Sequence, residues 1–199
     1  MLTVAVISAV ATAAGVVWFN THKLGDAEVI TFSTDTPNEV KPDVGYSWPG
    51  KPGGPKYISL PSINSGGYIQ KVGVDQNRAI AVPNNVHFAG WFVESARPGD
   101  RGLSIIDGHV DGRESDGVFK RLAELSEGDT FTVEFGDGTV RTFRVTGVTS
   151  VHADSAENAL FSQGSWVSSQ LNLITCGGSF DAATGAYDER VIVASTVVE

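Results

Sequence analysis

The chain has 199 residues, of which 41% are hydrophobic, and it carries a formal net charge of −9. This length allows one domain of ordinary size with a real hydrophobic core and leaves little room for a second full domain. The acidic balance argues against nucleic-acid binding, because that function depends on clustered lysine and arginine side chains.

The 23 glycines and 8 prolines fall largely between short runs rich in Val, Ile, Thr and Phe, which favours an all-β fold over a helix bundle. Cys176 is the single cysteine, so no disulfide can form within the chain. From its count alone, this cysteine could be a small apolar side chain in the core.

Residues 2–19 are apolar or small apart from two threonines and a serine, and a helix of this length would reach about 27 Å. We therefore predict a transmembrane anchor over residues 1–20. A secretory signal is the alternative, since Ala11-Thr12-Ala13 has the spacing of a cleavage site, although no basic residue precedes the run. The anchor predicts a single-pass protein of the cell membrane with the rest of the chain outside the cytosol.

Residues 21–56 are rich in Pro and Gly and show little hydrophobic periodicity. Such a segment cannot bury enough apolar surface to offset the entropy lost on ordering, so we predict an extracytoplasmic tether. Tyr46 and Trp48, near the end of the tether, are predicted to dock on the domain that follows.

Residues 57–199 are predicted to form the main folded domain, with about eight strands and one or two short helices in a closed or nearly closed β-barrel. The clearest local signal is a hairpin over residues 130–145, where aromatic and aliphatic residues alternate with polar ones around a Gly-Asp-Gly turn. Helices are predicted over residues 117–125 and 156–161. The predicted strands cover residues 57–60, 68–74, 89–92, 103–107, 131–135, 140–151, 171–175 and 190–198.

Three apolar runs each lead to a side chain that can do chemistry. The run 103–108 leads into His109, the run 171–175 leads into Cys176, and Arg190 opens a run of β-branched residues. We expect all three at strand ends, where side chains become reachable from solvent. A reactive cysteine must form a thiolate, and a neighbouring imidazole can take and return its proton. An arginine can stabilise the oxyanion of an acyl transfer, and the glycines after Cys176 leave room for a peptide.

Four acidic residues cluster around His109, but their order does not match an EF-hand loop, and solvated side chains in a turn explain them. The sequence has no Cys/His set with zinc spacing and no glycine-rich phosphate loop. We therefore predict neither a metal nor a cofactor. The acidic residues are Asp107, Asp111, Glu114 and Asp116, and the histidines predicted to lie outside the site are His22, His87 and His152.

These strings resemble the motifs of the sortases, the extracytoplasmic transpeptidases of Gram-positive bacteria. The matching motifs are Gly-His at His109, Leu-x-Thr-Cys at Cys176 and Arg-Val-Ile-Val at Arg190. The resemblance runs from about residue 57 to residue 198. Further strings are similar to class F sortases of actinobacteria, namely Gly108-His109-Val110-Asp111, Thr175-Cys176-Gly177-Gly178, Phe180-Asp181, Thr184-Gly185 and Tyr187.

The resemblance implies an eight-stranded sortase barrel in which Cys176 is the nucleophile, His109 the general acid and base, and Arg190 the residue that binds the oxyanion and orients the substrate. Thr175 and Gly177 would contact the substrate. Sortases cut an LPxTG-type sorting signal after its threonine, hold the acyl group as a thioester, and pass it to an amine of a cell-wall precursor or a pilin. By the same analogy, residues 153–170 should border the substrate groove.

One position departs from the family pattern. Asn172 stands where sortases usually have a threonine, and we expect it on a polar, outward side, where it affects packing more than chemistry.

Two other functions stay open at this point. The first is an envelope cysteine hydrolase or an L,D-transpeptidase, although the Ser-His-Gly-Cys string usual in the latter is absent. The second is a non-catalytic β-barrel binding module on a membrane tether, in which Cys176 would simply be buried.

Overall fold

The computed structural model describes residues 28–198, in which the regular structure is nine strands, one short α-helix and three 3-10 turns. The strands are β1 Val29–Ile30, β2 Pro55–Leu60, β3 Ser65–Val72, β4 Ala89–Phe92, β5 Gly102–Gly108, β6 Thr130–Phe135, β7 Val140–His152, β8 Ser169–Asp181 and β9 Ala186–Val198. The α-helix is α1, Ala156–Leu160, and the 3-10 turns are Pro61–Ile63, Leu122–Glu124 and Ala153–Ser155.

Eight of these strands close into a barrel. Their order is β3-β2-β6-β7-β9-β8-β5-β4, and a parallel pairing between β4 and β3 completes the ring. The short strand β1 adds to β3 from outside this ring. The predicted all-β, eight-stranded barrel is therefore confirmed.

The alternation of side chains along the strands fills the barrel interior. In β6, Phe131, Val133 and Phe135 all point into the main core, and Phe131 stacks on Phe143 of β7 with ring centroids 5.4 Å apart. β6 and β7 pair in antiparallel register around residues 136–139, which confirms the predicted hairpin.

A second apolar cluster covers the outer face of β5, β8 and β9. On β8, Leu171 and Leu173 belong to the main core, whereas Ile174 belongs to this second cluster, as expected from the two-residue repeat of a strand. Ile105 of β5 and Leu160 of α1 lie in the same cluster. This part of the barrel is therefore packed on both faces.

The prediction of a helix over residues 117–125 is wrong. The chain forms turns there, and the helical part is limited to the 3-10 turn Leu122–Glu124. The helical spacing of Val118 and Leu122 reflects burial, since both side chains are in the main core. Their backbone has other partners: the Val118 N–H donates to the Val86 carbonyl and the Phe119 N–H to the His109 carbonyl. The short helix predicted over residues 156–161 is present as α1.

The described part of the predicted tether, residues 28–56, lies along the barrel. Val29 and Ile30 pair with β3, and the ring of Tyr46 packs 4.6 Å from that of Tyr68. The Trp48 indole N–H donates to the Ile69 carbonyl at 2.9 Å. The predicted docking of Tyr46 and Trp48 is confirmed.

The anchor predicted over residues 1–20 lies outside the described residues, as do His22 and the rest of the tether up to residue 27. Within residues 28–198, no helix combines the length and the apolar character needed to cross a membrane.

Candidate active site

Two of the three predicted catalytic residues lie on neighbouring strands, Cys176 on β8 and Arg190 on β9, and His109 directly follows β5, the other neighbour of β8. Cys176 of β8 is directly opposite Arg190 of β9. β5 runs parallel to β8 with Asp107 opposite Ile174, and His109 and Cys176 each come two residues after this pair on their own segments. The Thr175 hydroxyl donates to the Gly108 carbonyl at 2.7 Å, which ties the two strands together at this point. We call His109, Cys176 and Arg190 the catalytic row.

The expectation that these residues lie at strand ends is met only by His109, which follows the last residue of β5. β8 continues to Asp181 and β9 begins at Ala186, so Cys176 and Arg190 lie inside a long hairpin. Cys176 is reachable from solvent for a different reason. The pairing of β5 with β8 ends at Ile174, and Cys176 therefore sits just where the sheet loses one strand.

A cavity of about 850 Å³ opens on the outer face of these strands. We call it the outer groove. Its floor includes Asp107, Ile174, Cys176 and Arg190, and residues 74–82 form one wall. Glu157, Leu160 and Phe161 form another wall, so residues from the loop 153–170 border the cavity that contains Cys176. A second cavity of about 820 Å³, lined by Tyr57, Tyr68 and His87 among others, contains none of the catalytic row.

Cys176 is half-buried, and this burial raises the pKa of its thiol above the usual value of 9.0. The positive charge of Arg190 acts in the opposite direction and lowers the Cys176 pKa, while the negative charge of Asp111, and that of Asp107 when it is ionised, raise it further. The thiol form therefore predominates at neutral pH, and Arg190 is the neighbour that favours the thiolate.

His109 is also half-buried, and burial lowers the pKa of its imidazole below 6.5, against smaller opposing effects of the Pro83 carbonyl and Asp111. Its Nε2 lies 2.7 Å from the Pro83 carbonyl oxygen. Because a carbonyl can only accept, Nε2 carries the proton, and in the neutral ring Nδ1 is then the basic nitrogen. His109 is thus held in one tautomer by the chain that precedes β4.

Arg190 is held by its own strand. Its Nη1 donates to the Tyr187 carbonyl at 3.0 Å and to the Glu189 carbonyl at 2.7 Å, and the side chain lines the outer groove. A guanidinium fixed in this way keeps its charge next to the sulfur and presents its planar fork to a substrate.

Thr175 and Gly177, predicted to contact the substrate, both have packing roles. The Thr175 side chain is buried and bonds Gly108, although the residue also lines the outer groove. A Cβ at Gly177 would come within 2.8 Å of the Val191 side chain, so close packing of β8 on β9 requires glycine there.

The acidic residues near His109 have different surroundings, and Asp111 makes polar contacts. Asp111 accepts a hydrogen bond from the Tyr187 hydroxyl at 2.5 Å and lies 3.5 Å from the Lys120 ammonium. Burial, together with that hydrogen bond, raises the pKa of Tyr187 to about 12. Among residues 28–198, no group of three or more His, Cys, Asp or Glu side chains is arranged to hold a metal ion.

Asp107 is the feature of the site whose importance the sequence did not reveal. Its side chain is 7% exposed, it lines the outer groove, and its Oδ1 has no hydrogen-bond partner among the described residues. Burial raises its pKa well above the usual carboxyl value and so favours the protonated, uncharged form of Asp107. The signal available in the sequence was a carboxyl group within an otherwise apolar strand.

Asn172 lies on the outer face of the barrel, but it is 1% exposed, which contradicts the expectation of a polar surface position. α1 and the loop after it cover the residue. The Asn172 amide donates to the Leu160 carbonyl at 2.7 Å and accepts from the Gln170 amide at 2.8 Å. Asn172 therefore anchors a wall of the outer groove.

The two described histidines predicted to lie outside the site do so. The His87 Nε2 contacts the Glu39 carbonyl oxygen at 3.0 Å, and His152 is exposed at the end of β7.

Comparisons with known proteins are consistent with this geometry. A family model described as the sortase domain matches residues 58–198. None of the curated proteins searched is similar to the chain.

Solved sortase structures share the fold at low sequence identity. Sortase C-1 from Actinomyces oris is 23% identical over 72% of this chain and 73% of its own, with a TM-score of 0.53. A lid mutant of sortase A from Corynebacterium diphtheriae is 22% identical over 73% and 70%, with a TM-score of 0.54. Sortase C1 from Streptococcus agalactiae is 24% identical over 74% and 68%, also with a TM-score of 0.54.

Proposed function

This chain belongs to the sortase family, whose members are cysteine transpeptidases, and we propose that it cleaves an LPxTG-like sorting signal through a Cys176 thioester. The acyl group then passes to an amine of the cell wall or of a pilin. The observation that most supports the proposal is that the only thiol, Cys176, lies opposite Arg190 of β9, while His109 directly follows β5, the strand on the other side of β8.

In the first half of the reaction, the Cys176 thiolate attacks the carbonyl carbon of the scissile peptide bond. Arg190 donates hydrogen bonds to the oxyanion that forms. As the C–N bond breaks, the His109 imidazolium gives its proton to the departing amine, leaving a thioester and a neutral imidazole.

In the second half, His109 takes a proton from the incoming amine as that amine attacks the thioester carbonyl. The C–S bond breaks, the thiolate leaves, and a new amide is released. The imidazolium and the thiolate are both restored, so the cycle consumes no cofactor.

The remaining parts of the proposal rest on the sequence. We assign residues 1–20 as a single-pass anchor because of their continuous apolar run, with the catalytic domain outside the cytosol. The Gly-His-Val-Asp and Thr-Cys-Gly-Gly strings favour the class F subgroup. The substrate proteins would carry LPxTG-type signals, and the acceptor would be a peptidoglycan precursor or a pilin.

The test is cleavage of a fluorogenic LPxTG peptide by the full chain in detergent, with and without triglycine as the amine. We expect cleavage and a triglycine-linked product, both abolished by Cys176→Ala. Arg190→Lys should lower kcat without loss of folding, since lysine keeps the charge but not the fork.

Three results would count against the proposal. Cleavage that survives Cys176→Ala would remove the thiol from the reaction. Cleavage that yields only the free acid at saturating triglycine would make the protein a cysteine hydrolase. A folded protein that neither cleaves the peptide nor reacts with a thiol-directed label would be a binding module.

A further inference from the structure

An unsatisfied carboxyl group lies on the floor of the outer groove, close to Cys176. We propose that Asp107 is a specificity-determining residue that hydrogen-bonds an uncharged polar side chain of the peptide substrate. This inference rests on the proposed function and adds to it the chemistry of one substrate position.

The position of Asp107 is fixed by the strands on both sides of it. It is paired with Gly90 of β4 and Ile174 of β8, so its side chain is on the same outer face as that of Ile174. A Cβ at Gly90 would come within 2.2 Å of Asp107 Oδ1. The carboxyl group therefore lies over bare backbone on the β4 side, in space that any other residue at position 90 would fill.

The surroundings of this carboxyl are mostly apolar. The outer groove is lined by Val74, Ile80, Phe92 and Ile174 among others, and Asp107 is 7% exposed. Burial of a polar atom without a hydrogen bond costs about 1–3 kcal/mol in proteins, so natural structures leave few such atoms. Asp107 Oδ1 is one of them among the described residues, and the Asp107 residue lines a cavity large enough for a peptide.

The distance from the sulfur places Asp107 within reach of the same peptide. Asp107 and Ile174 lie two residues before His109 and Cys176 on their strands, a separation of about 6–7 Å. Two residues of an extended peptide span about the same length. A peptide with its scissile carbonyl at Cys176 therefore has a side chain over Asp107 within about two positions of the bond that is cut.

An uncharged partner suits this carboxyl better than a cation does. A neutral carboxylic acid offers one O–H donor and one carbonyl acceptor side by side, which matches the acceptor and donor of a carboxamide such as Asn or Gln. A cationic side chain would itself have to lose its hydration in an apolar groove. The charged residues of the lining, Arg78, Glu94, Glu157 and Arg190, already include two of each sign.

The first test compares kcat/KM of the full chain on peptide sets in which each position within three residues of the scissile bond is varied. We expect one position where Asn or Gln is preferred over the isosteric Leu by about tenfold, the worth of one buried hydrogen bond. Asp107→Asn should keep this preference, and Asp107→Leu should reverse it. Glu94→Leu changes an exposed acid that lines the same groove and should leave the preference unchanged.

The second test measures binding without turnover, so that it does not depend on the proposed chemistry. In a Cys176→Ala background, the peptide with the preferred residue should bind about tenfold more tightly than its Leu counterpart. Adding Asp107→Leu should reverse the difference. Asp107→Leu should also melt at the same temperature as the wild type or higher, because it removes an unsatisfied buried group.

The outcomes separate the two levels of inference. Equal preferences in the wild type and Asp107→Leu, by both tests, would overturn the role of Asp107 while leaving the transpeptidase intact. A preference for Lys or Arg that Asp107→Asn removes would overturn the uncharged partner. Selective binding without any cleavage would support Asp107 as a recognition residue and count against the proposed reaction.

Discussion

Replacement of Asn172 by alanine tests how the groove wall is attached to the barrel. Asn172 is 1% exposed, and its amide donates to the Leu160 carbonyl at the end of α1. The same side chain accepts a bond from Gln170, whose amide also donates to the Ser162 carbonyl at 2.9 Å. One side chain thus connects β8 to the end of α1 directly and to the loop that follows through Gln170.

The cost of the change follows from these contacts. Asn172→Ala leaves the Leu160 carbonyl without its partner, at about 1–3 kcal/mol, and removes one of the three side-chain hydrogen bonds of Gln170, at about 0.5–1.5 kcal/mol. The sum is about 3 kcal/mol, or about 6–12 °C in Tm for a protein of this size. Because Leu160 lines the outer groove, we also expect a higher KM for peptide.

Urea unfolding of the purified chain measures the free energy directly. Asn158→Ala is the matched control, since Asn158 is exposed on α1, and this change should alter the free energy of unfolding by less than about 0.5 kcal/mol. A loss of less than about 1 kcal/mol in Asn172→Ala would refute the argument that this residue holds the wall.

Three further predictions concern charge and docking. Arg190→Gln should raise the Cys176 pKa and Asp111→Asn should lower it, because these charges act on the thiol in opposite directions. Thiolate absorbance measured as a function of pH gives both shifts. Two shifts of the same sign would contradict the opposite effects of Arg190 and Asp111. If the active form is the thiolate with the imidazolium, kcat/KM should increase with pH through the His109 pKa, which lies below 6.5, and then stay level. It should decrease only through the Cys176 pKa, which lies above 9.0. A sharp optimum at neutral pH would instead show that the two pKa values lie close together. Trp48→Phe should cost about 1 kcal/mol in urea unfolding by removing the bond to the Ile69 carbonyl, and no cost would mean that the indole N–H is solvated in both states.

The barrel was predictable because its signals are local. Alternation in Phe131, Val133 and Phe135 defines an inward face, and a Gly-rich turn joins that strand to the next. The helix over residues 117–125 failed for the opposite reason. Val118 and Phe119 donate to backbone carbonyls before β4 and after β5, and such long-range partners leave no trace in a pattern of nearby residues.

The catalytic row was predictable as a set of residues but not as a geometry. Strand order decides that β5, β8 and β9 are neighbours, and the sequence contains no local record of that order. The burial of Asn172 and Asp107 was missed for a related reason. Both are polar residues on the outer face of a barrel, and only the placement of α1 and of residues 74–82 over that face makes the position an interior one.

Burial of this one face has linked electrostatic consequences at Cys176. It raises the thiol pKa and lowers the His109 pKa, so both resting groups are neutral, and a thiol is less easily oxidised than a thiolate. The same burial favours the uncharged form of Asp107, which matters because an ionised Asp107 would raise the Cys176 pKa further. Arg190 is then the main charge in the lining that favours the thiolate. A peptide that fills the groove removes water from the sulfur, which by itself raises the thiol pKa further. The attraction of Arg190, which is stronger at lower dielectric constant, is the effect that opposes this loss of the thiolate.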